Sequence, residues 1–524
     1  MKIVTPEQMR LIETRSENVG VSTDTLMENA GLAVAEWVRR RLGSVDGVSV
    51  VVLVGPGNNG GDGLVTARHL HDWGALAGVY LCSDRHPDDI NLERVAERSA
   101  GIVRASADGG LAGLRDLLGG ASLVVDAVVG TARSRPLSGV IRDALLELAA
   151  ERARRPGIRI VALDVPSGLD ADTGAADPAT PVADDTVTLG YPKMGLYAFP
   201  GAEFAGLVEI VDIGVPPGLD DDVRLELMTD RWARAVLPPR PPSSHKGTFG
   251  SAMIVVGSAS YIGAAYLAAS AAGRSGAGLV TLAMPRSLVP AVAAAAPEPT
   301  YLPLPESSPG IPAPESAELV LDHIDGYDSL LVGCGLGQSP EAARLVDRLL
   351  LSGAALPRTV VDADGLNLLS RHESPRWWER MPQPAIVTPH PGEMARLAGV
   401  STGAIQEDRA GVAREMARKW GKVVVLKGAF TVAAFPTGDA MLSPLTNPGL
   451  ATAGTGDVLA GTIAGLLAQG LSPETAAPLG VYLHGKAAEA VREEMGDAGM
   501  IAGDLLPALP RAIKALKQSA GTEG

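Results

Sequence analysis

Two three-layer α/β/α domains, each built on a mostly parallel sheet, are what this sequence predicts. Three observations carry that expectation. Short Val-, Ile- and Leu-rich runs alternate with helical stretches in two successive series, and strands buried on both faces read as unbroken apolar runs. Each series contains a Gly-rich turn that opens a helix, GPGNNGGDG in the first and AGTGD in the second. The chain has 524 residues, more than one core usually supports.

The first series places strands at residues 48–54, 79–82, 122–129 and 158–165, with a helix running from the Gly-rich turn through Trp73 and another around Leu145. The second places strands at 253–256, 279–283, 330–332, 359–362, 385–388 and 423–426. Between them, Pro pairs and an acidic run mark a linker at 217–224, separating a domain over 1–216 from one over 225–518. The Ala- and Pro-rich stretch 291–314 reads as a long loop or flap, and the tail after Gln518 as frayed.

The net charge of −15 argues against a polyanion-binding surface, so no nucleic-acid partner is expected. Anionic ligands must then be held by local devices such as helix N-termini. Cys82 and Cys334 are the only cysteines, which excludes a disulfide framework and a Cys-rich zinc site. The start, MKIVTPEQMRLIE, has no apolar signal core. The uncharged stretch 247–273 is rich in Gly, Ser and Ala and reads as strand, turn and buried helix. The expected location is the cytoplasm, with no membrane partner.

Gly55, Gly57 and Gly60 satisfy the G-x-G-x-x-G spacing after a strand, and Asp84 lies past the next strand, as a dinucleotide fingerprint requires. The same spacing also occurs in Gly-rich turns that bind nothing. Asn58, Asn59, Gly61 and Asp62 go beyond the fingerprint. Asp62 would repel a pyrophosphate, so its carboxylate and the two amides suit a sugar, a hydroxyl or a cation. LMENAG stands upstream of the turn at 26–31, and downstream stand DAVVGTARSRPLSG at 126–139, VALDVPSGLDADTG at 161–174, LGYPKMGLYAFPG at 189–201 and EIVDIGVP at 209–216.

This ordered set resembles the NAD(P)H-hydrate epimerase family across residues 1–216, which implies a Rossmann-like domain. Ala132 stands where that family more often has Gly. The resemblance implies that Asn58, Asn59, Gly60, Gly61 and Asp62 contact the hydrate, that Gly130, Thr131, Ala132, Arg133, Ser134, Arg135 and Pro136 wrap it, and that Asp164 touches it. It further implies that Asn59, Asp126 and Ser167 ligate potassium. Strand ends bring Asn59, Asp126 and Asp164 to the carboxyl edge of a parallel sheet, where ligands bind, and hard oxygen ligands suit an alkali ion. Epimerisation at C6 of the reduced nicotinamide ring needs a proton shuttle, and Asp164 is the candidate general acid or base. The competing reading of Asp164 is a strand-end carboxylate capping a turn through Ser167.

In the second half, Gly454, Thr455 and Gly456 precede Asp457 and an apolar helix. Free amides at a helix N-terminus bind anions, and a carboxylate beside them suits phosphoryl transfer to a hydroxyl. The plainer alternative is a Gly-rich turn with an acidic first-turn residue. No P-loop sequence is present. GTGD resembles the ribokinase-like superfamily. LPPRPPSSHKGTFGSAMIVVGS, VGCGLGQ, VVDADGLNLL, TPHPGEMARL and VVVLKGAFTVAAFPTG narrow the resemblance to the NAD(P)H-hydrate dehydratase family over about 225–515. Ile262, Cys334 and Thr446 depart from its usual residues.

The resemblance implies that Asp457 is the catalytic carboxylate, that Ala264, Gly335 and His390 bind the damaged cofactor, and that Lys427, Gly428, Ala429, Phe430, Thr431 and Gly456 hold ADP or ATP. His390 also reads as a hydrogen-bonded structural residue, Lys246 as a phosphate contact or a loop lysine, and Asp362 and Asp364 as Mg²⁺ carriers or turn residues.

The implied activity is repair of hydrated NADH and NADPH (NADHX and NADPHX): epimerisation of the R and S forms, and nucleotide-dependent dehydration of the S form. A fused chain favours ADP, and a homo-oligomer, with a tetramer foremost, is expected. A ribokinase-like kinase fused to a cofactor-binding domain would leave a stable phosphorylated product. A nicotinamide dehydrogenase would explain GPGNNG but not GTGD. A non-enzymatic binding module would leave Asn59, Asp126 and Asp164 without a task.

Overall fold

Each apolar run becomes a strand covered on both faces. The structure, a computed structural model, describes residues 1–98, 101–131, 136–374, 376–381 and 383–518, and the chain divides into two compact units, Met1–Arg224 and Leu225–Gly524. In the first unit the strands are β1 Ser49–Val54, β2 Leu76–Leu81, β3 Gly101–Arg104, β4 Leu123–Ala127, β5 Arg159–Leu163, β6 Asp185–Leu189 and β7 Leu207–Val211. They form one sheet in the order β3-β2-β1-β4-β5-β6-β7, with every neighbouring pair parallel.

Side chains alternate across β1. Val50, Val52 and Val54 enter one core with Val34, Val38 and Leu70 from helices on that face. Val51 and Leu53 enter the opposite core with Leu114, Leu118 and Leu145. That is the three-layer arrangement. The strand order reverses between β1 and β4, which opens a crevice at their carboxyl ends.

The second unit contains β8 Leu225–Leu227, β9 Ser251–Val255, β10 Leu279–Pro285, β11 Thr300–Leu304, β12 Glu306–Ser308, β13 Ile311–Pro312, β14 Ser329–Val332, β15 Arg358–Val361, β16 Ala385–Val387, β17 Val423–Leu426, β18 Val432–Ala434 and β19 Ala440–Leu442. The main sheet runs β11-β10-β9-β14-β15-β16-β17-β18-β19-β8. It is parallel from β11 to β17, β18 pairs antiparallel with both its neighbours, and β8 closes the edge parallel to β19. Here the order reverses between β9 and β14. No helix among the described residues is long and apolar enough to cross a membrane.

Two expectations need correction. The stretch 291–314 is not a loop: Val289–Ala295 is helical, β11 joins the main sheet beside β10, and β12 pairs with β13. Pro303 disguised the strand, but β11 lies at the sheet edge, where a missing N–H costs no ladder bond. The segment 217–224 is not a free linker either. Val223 is buried in the first unit's core, and Leu219 packs against it. Arg15 ties the segment down through Asp222 at 2.7 Å and the Leu219 carbonyl at 2.6 Å.

The helix Thr455–Ala468 packs against Ile262–Ser275 through small residues. A Cβ on Gly461 would lie 2.1 Å from the Ala268 carbonyl oxygen, and one on Gly465 would lie 2.4 Å from that of Ala272. This close approach fixes where the first turn of Thr455–Ala468 points. Gly461→Ala should therefore lower the stability of the second unit by about 1–3 kcal/mol, read as a reduced urea midpoint. An unchanged midpoint would show that the two helices separate at no cost.

Candidate functional site

The carboxyl ends of both sheets carry buried charge. In the first unit a cleft of about 360 Å³ lies over the crevice. Of the residues expected there, Asn58, Asn59, Asp62, Gly130, Thr131 and Asp164 line it. Gly60 and Gly61 serve the fold: a Cβ on Gly60 would sit 2.1 Å from the Gly55 carbonyl oxygen, and one on Gly61 2.7 Å from the Met27 sulfur. Pro136 is exposed, whereas Ala132, Arg133, Ser134 and Arg135 lie outside the described residues. Asp84 is exposed and accepts a hydrogen bond from Ser106 at 2.9 Å, and it is not among the residues lining the cleft.

Asp164 follows β5 with φ 70, a left-handed backbone that an Asp tolerates better than most residues. Its Oδ1 accepts hydrogen bonds from the Leu189 N–H at 3.0 Å, from the Thr188 hydroxyl at 3.2 Å, and from the Lys193 ammonium. Lys193 is 1% exposed. Burial pushes the Asp62 carboxyl well above the usual range, and the charges of Asp164 and Glu13 add to that. Glu13 is raised too, by burial first. Glu13 lies in no motif, and Lys193 lies within LGYPKMGLYAFPG without any role marked for it. They matter because β6 and the helix Pro6–Asn18 deliver them to this cleft.

Beneath the cleft, Asp126 is fully buried. Ser167 donates to it twice, from its hydroxyl at 2.6 Å and its N–H at 2.8 Å. No cationic side chain pairs with Asp126 among the described residues, and burial raises its carboxyl. The amide nitrogen of Asn59 is buried without a partner. A carboxylate, a hydroxyl and an amide with no positive charge among them fit a monovalent cation bound by oxygens. Among the described residues no group of three or more His, Cys, Asp or Glu is placed to hold a metal.

In the second unit the loops after β14, β15, β16 and β17 converge on the first turn of Thr455–Ala468. That helix has no side-chain cap, and the Gly456 and Asp457 amides take no backbone acceptor. Burial pushes the Asp457 carboxyl up to about 6, and the charge of Asp362 adds to the shift. Lys427 pairs with Asp362 at 2.6 Å and lies 3.7 Å from Glu393. Its ammonium would stand 3.5 Å from a Cβ on Gly456. Burial pushes Glu393 up to about 7, against the pull of Lys427. Gly335, with φ 63, abuts Ala264 and Tyr261. The buried Cys334 thiol is 3.8 Å from Asp362. Ala363 and Phe430 join Asp164 among the four described non-glycine residues with positive φ, so strained backbone gathers at these sites.

His390 is exposed and caps the helix Pro391–Ala398: its Nδ1 accepts from the Gly392 N–H at 3.0 Å. Gly428, Ala429, Phe430 and Thr431 form the tight turn from β17 to β18, closed by the Thr431 hydroxyl donating to the Gly428 carbonyl at 2.8 Å. Arg409, which no motif marked, holds that turn by donating to the Leu426 and Lys427 carbonyls at 3.1 and 3.0 Å. Lys246 is exposed in a 3-10 turn. Asp364 accepts from the Gly337 N–H and the Gln338 amide, both at 2.9 Å, and so does the work of a turn residue.

Known proteins resemble this chain in both of its units. Residues 252–511 match the family of NAD(P)H-hydrate dehydratases, and residues 23–195 match the family described as YjeF-related protein N-terminus. The bifunctional NAD(P)H-hydrate repair enzyme of Moorella thermoacetica is 40% identical over 536 residues, spanning 100% of this chain and 98% of that protein. The chain belongs to the bifunctional NAD(P)H-hydrate repair enzyme family. The repair enzyme of Thermofilum pendens is 39% identical, over 99% of this chain and 97% of its own. The ADP/ATP-dependent NAD(P)H-hydrate dehydratase of Bacillus subtilis, crystallised with ATP and Mg²⁺, is 35% identical and covers 56% of this chain and 98% of its own, with a TM-score of 0.49. The first unit is the Rossmann-like half of this repair-enzyme chain and the second its ribokinase-like half.

One more buried group supports the GTGD turn. His484 sits behind it with Nε2 3.0 Å from the Thr455 carbonyl, so this nitrogen carries the proton and donates. Burial pushes the ring down to about 4 from 6.5. Between those values the unfolded chain binds the proton and the folded chain does not. Stability from this group is therefore present above pH 6.5 and lost as pH falls toward 4, by roughly 3 kcal/mol. Chemical denaturation at both ends of that window should show the wild type losing about this much more than His484→Asn. Equal losses would place the histidine in solvent.

Proposed function

We propose that this chain repairs hydrated NADH and NADPH, the first unit interconverting the R and S epimers of NADHX and NADPHX and the second dehydrating the S form at the expense of ADP or ATP. The reading rests on one observation above the others: Asp457, half-buried, stands beside open amides and the Lys427 ammonium, within a chain that matches bifunctional repair enzymes from end to end. Hydroxide leaves C6 poorly. Asp457 takes the hydroxyl proton, and the oxygen attacks the terminal phosphoryl of the nucleotide. The Gly456 amide and Lys427 offset the charge that develops. With ADP the products of this step are AMP and a phosphate ester. The ring nitrogen then expels inorganic phosphate, and loss of a C5 proton restores the dihydropyridine.

Lys427, Gly428, Ala429, Phe430, Thr431 and Gly456 would hold the nucleotide, and Ala264, Gly335 and His390 the damaged cofactor. Asn59, Asp126 and Ser167 would hold potassium, which supplies a fixed positive charge beneath the epimerase cleft. Magnesium has no ready-made protein cage, because Asp362 is paired with Lys427 and Asp364 with a turn, so it fits best as the nucleotide's own counter-ion. The cytoplasm and a homo-oligomer, a tetramer foremost, complete the reading.

Mixed hydrate epimers incubated with the chain and ADP or ATP should regain the absorbance of the reduced cofactor while releasing one phosphate per ring restored. A stable phosphorylated product would favour a small-molecule kinase instead. Asp457→Asn should cut dehydration by about 10²-fold or more while the nucleotide still binds in calorimetry. Because the base must be ionised, the wild-type rate should fall as pH drops below about 6. A rate that is flat through that range would remove Asp457 from the step.

A further inference from the structure

Two buried carboxyls share the first unit's cleft in unlike surroundings. Asp164 receives three hydrogen bonds on Oδ1 and, among the described residues, none on Oδ2. Lys193 spends all three of its N–H groups nearby, on Asp164, on the Leu189 carbonyl at 3.1 Å and on the Thr188 hydroxyl at 3.3 Å. Its ammonium therefore has no proton to offer a substrate. It fixes one oxygen of Asp164 and balances its charge, leaving the other oxygen to the cleft. Asp62, across the cleft on the first turns of the helix Asn58–Asp72, is 8% exposed, and its carboxyl accepts no hydrogen bond among the described residues. The charged groups that face it are Asp164, Glu13, Lys193 and Arg85. Arg85 is spent on Asp89 at 2.5 Å and on the Gly55 and Gly57 carbonyls at 2.5 and 3.1 Å.

We infer that epimerisation uses these two carboxyls in opposite roles, Asp164 as base and Asp62 as acid, and that Lys193 is the positioning residue that keeps the roles distinct. The inference rests on the epimerase reading of this unit. Pairs of carboxyls whose environments push them apart divide acid and base work in this way. Asp164 Oδ2 takes the proton of the C6 hydroxyl, and the O–H electron pair becomes the second bond of an aldehyde carbonyl. The C6–N1 bond breaks, and its pair, left on N1, takes the proton from Asp62. Rotation about C5–C6 turns the other carbonyl face toward N1. N1 then attacks, Asp62 regains its proton from N1, and Asp164 returns its proton to oxygen. No atom is gained or lost, and no oxidant is needed.

The test uses the full chain and R-enriched hydrate without nucleotide, following R-to-S conversion by NMR, with dehydration by the same preparations as the check on folding. Asp62→Asn should lower kcat for epimerisation by about 10²-fold or more and leave KM little changed. Lys193→Met should move the acid limb of the pH–rate profile to higher pH, since the base has lost its cation, and Lys193→Arg should move it part of the way back. Wild-type turnover in Asp62→Asn, or a Lys193→Met profile superimposed on the wild type, would overturn the assignment. A wild-type chain that dehydrates the S form but never interconverts the epimers would overturn the epimerase reading itself, and this inference with it.

Discussion

A lysine paired with a buried strand-end aspartate is the interaction on which both halves of this molecule depend. Lys193 holds Asp164 after β5, and Lys427 holds Asp362 after β15. Such pairs are not a cheap source of stability, because two ions leave water to form them, and deleting one partner strands the other at a cost of about 3–5 kcal/mol. Their value is in placement. Each fixes a negative charge near a second carboxyl, and that charge raises the neighbour, Asp62 in one unit and Asp457 in the other.

The parallel sheet makes this possible. Every strand of the first unit delivers its carboxyl end to the same edge, so residues far apart in sequence, Asn59, Asp164 and Lys193, reach one cleft, with Asp126 buried beneath it. In the second unit the same rule brings Cys334, Asp362, Glu393 and Lys427 to the first turn of Thr455–Ala468. That turn is aimed by packing behind it: Gly461 and Gly465 let the helix sit against Ala268 and Ala272, and His484 holds the Thr455 carbonyl from the far side. The acid and base chemistry at the front thus depends on small residues and a neutral histidine at the back.

How much of this the sequence reveals follows from what kind of signal each residue carries. Strands buried on both faces announce themselves as apolar runs, and β17 falls where 423–426 was expected. Edge and very short strands do not: β11, at one edge, contains Pro303, and β8, β18 and β19 are three residues each, too short to show a period. Asp457, Asp164 and Asn59 were legible because glycines around them form motifs. Glu13, Arg409 and His484 were not, since a lone polar residue acquires a role only when a strand or helix from elsewhere arrives beside it, and Lys193, though within LGYPKMGLYAFPG, shows its pairing with Asp164 only in the fold. The fingerprint reading of Asp84 failed for the same reason, because Ser106 is its neighbour and the cleft is not.

Neutron diffraction from deuterium-exchanged crystals at neutral pH tests the central claim most directly, since it sees the protons themselves. The account predicts three deuterons on each of Lys193 and Lys427, bare carboxylates at Asp164 and Asp362, and a deuteron on Asp62. A deuteron on Asp164 with Asp62 bare, or either lysine short of its third deuteron, would contradict it.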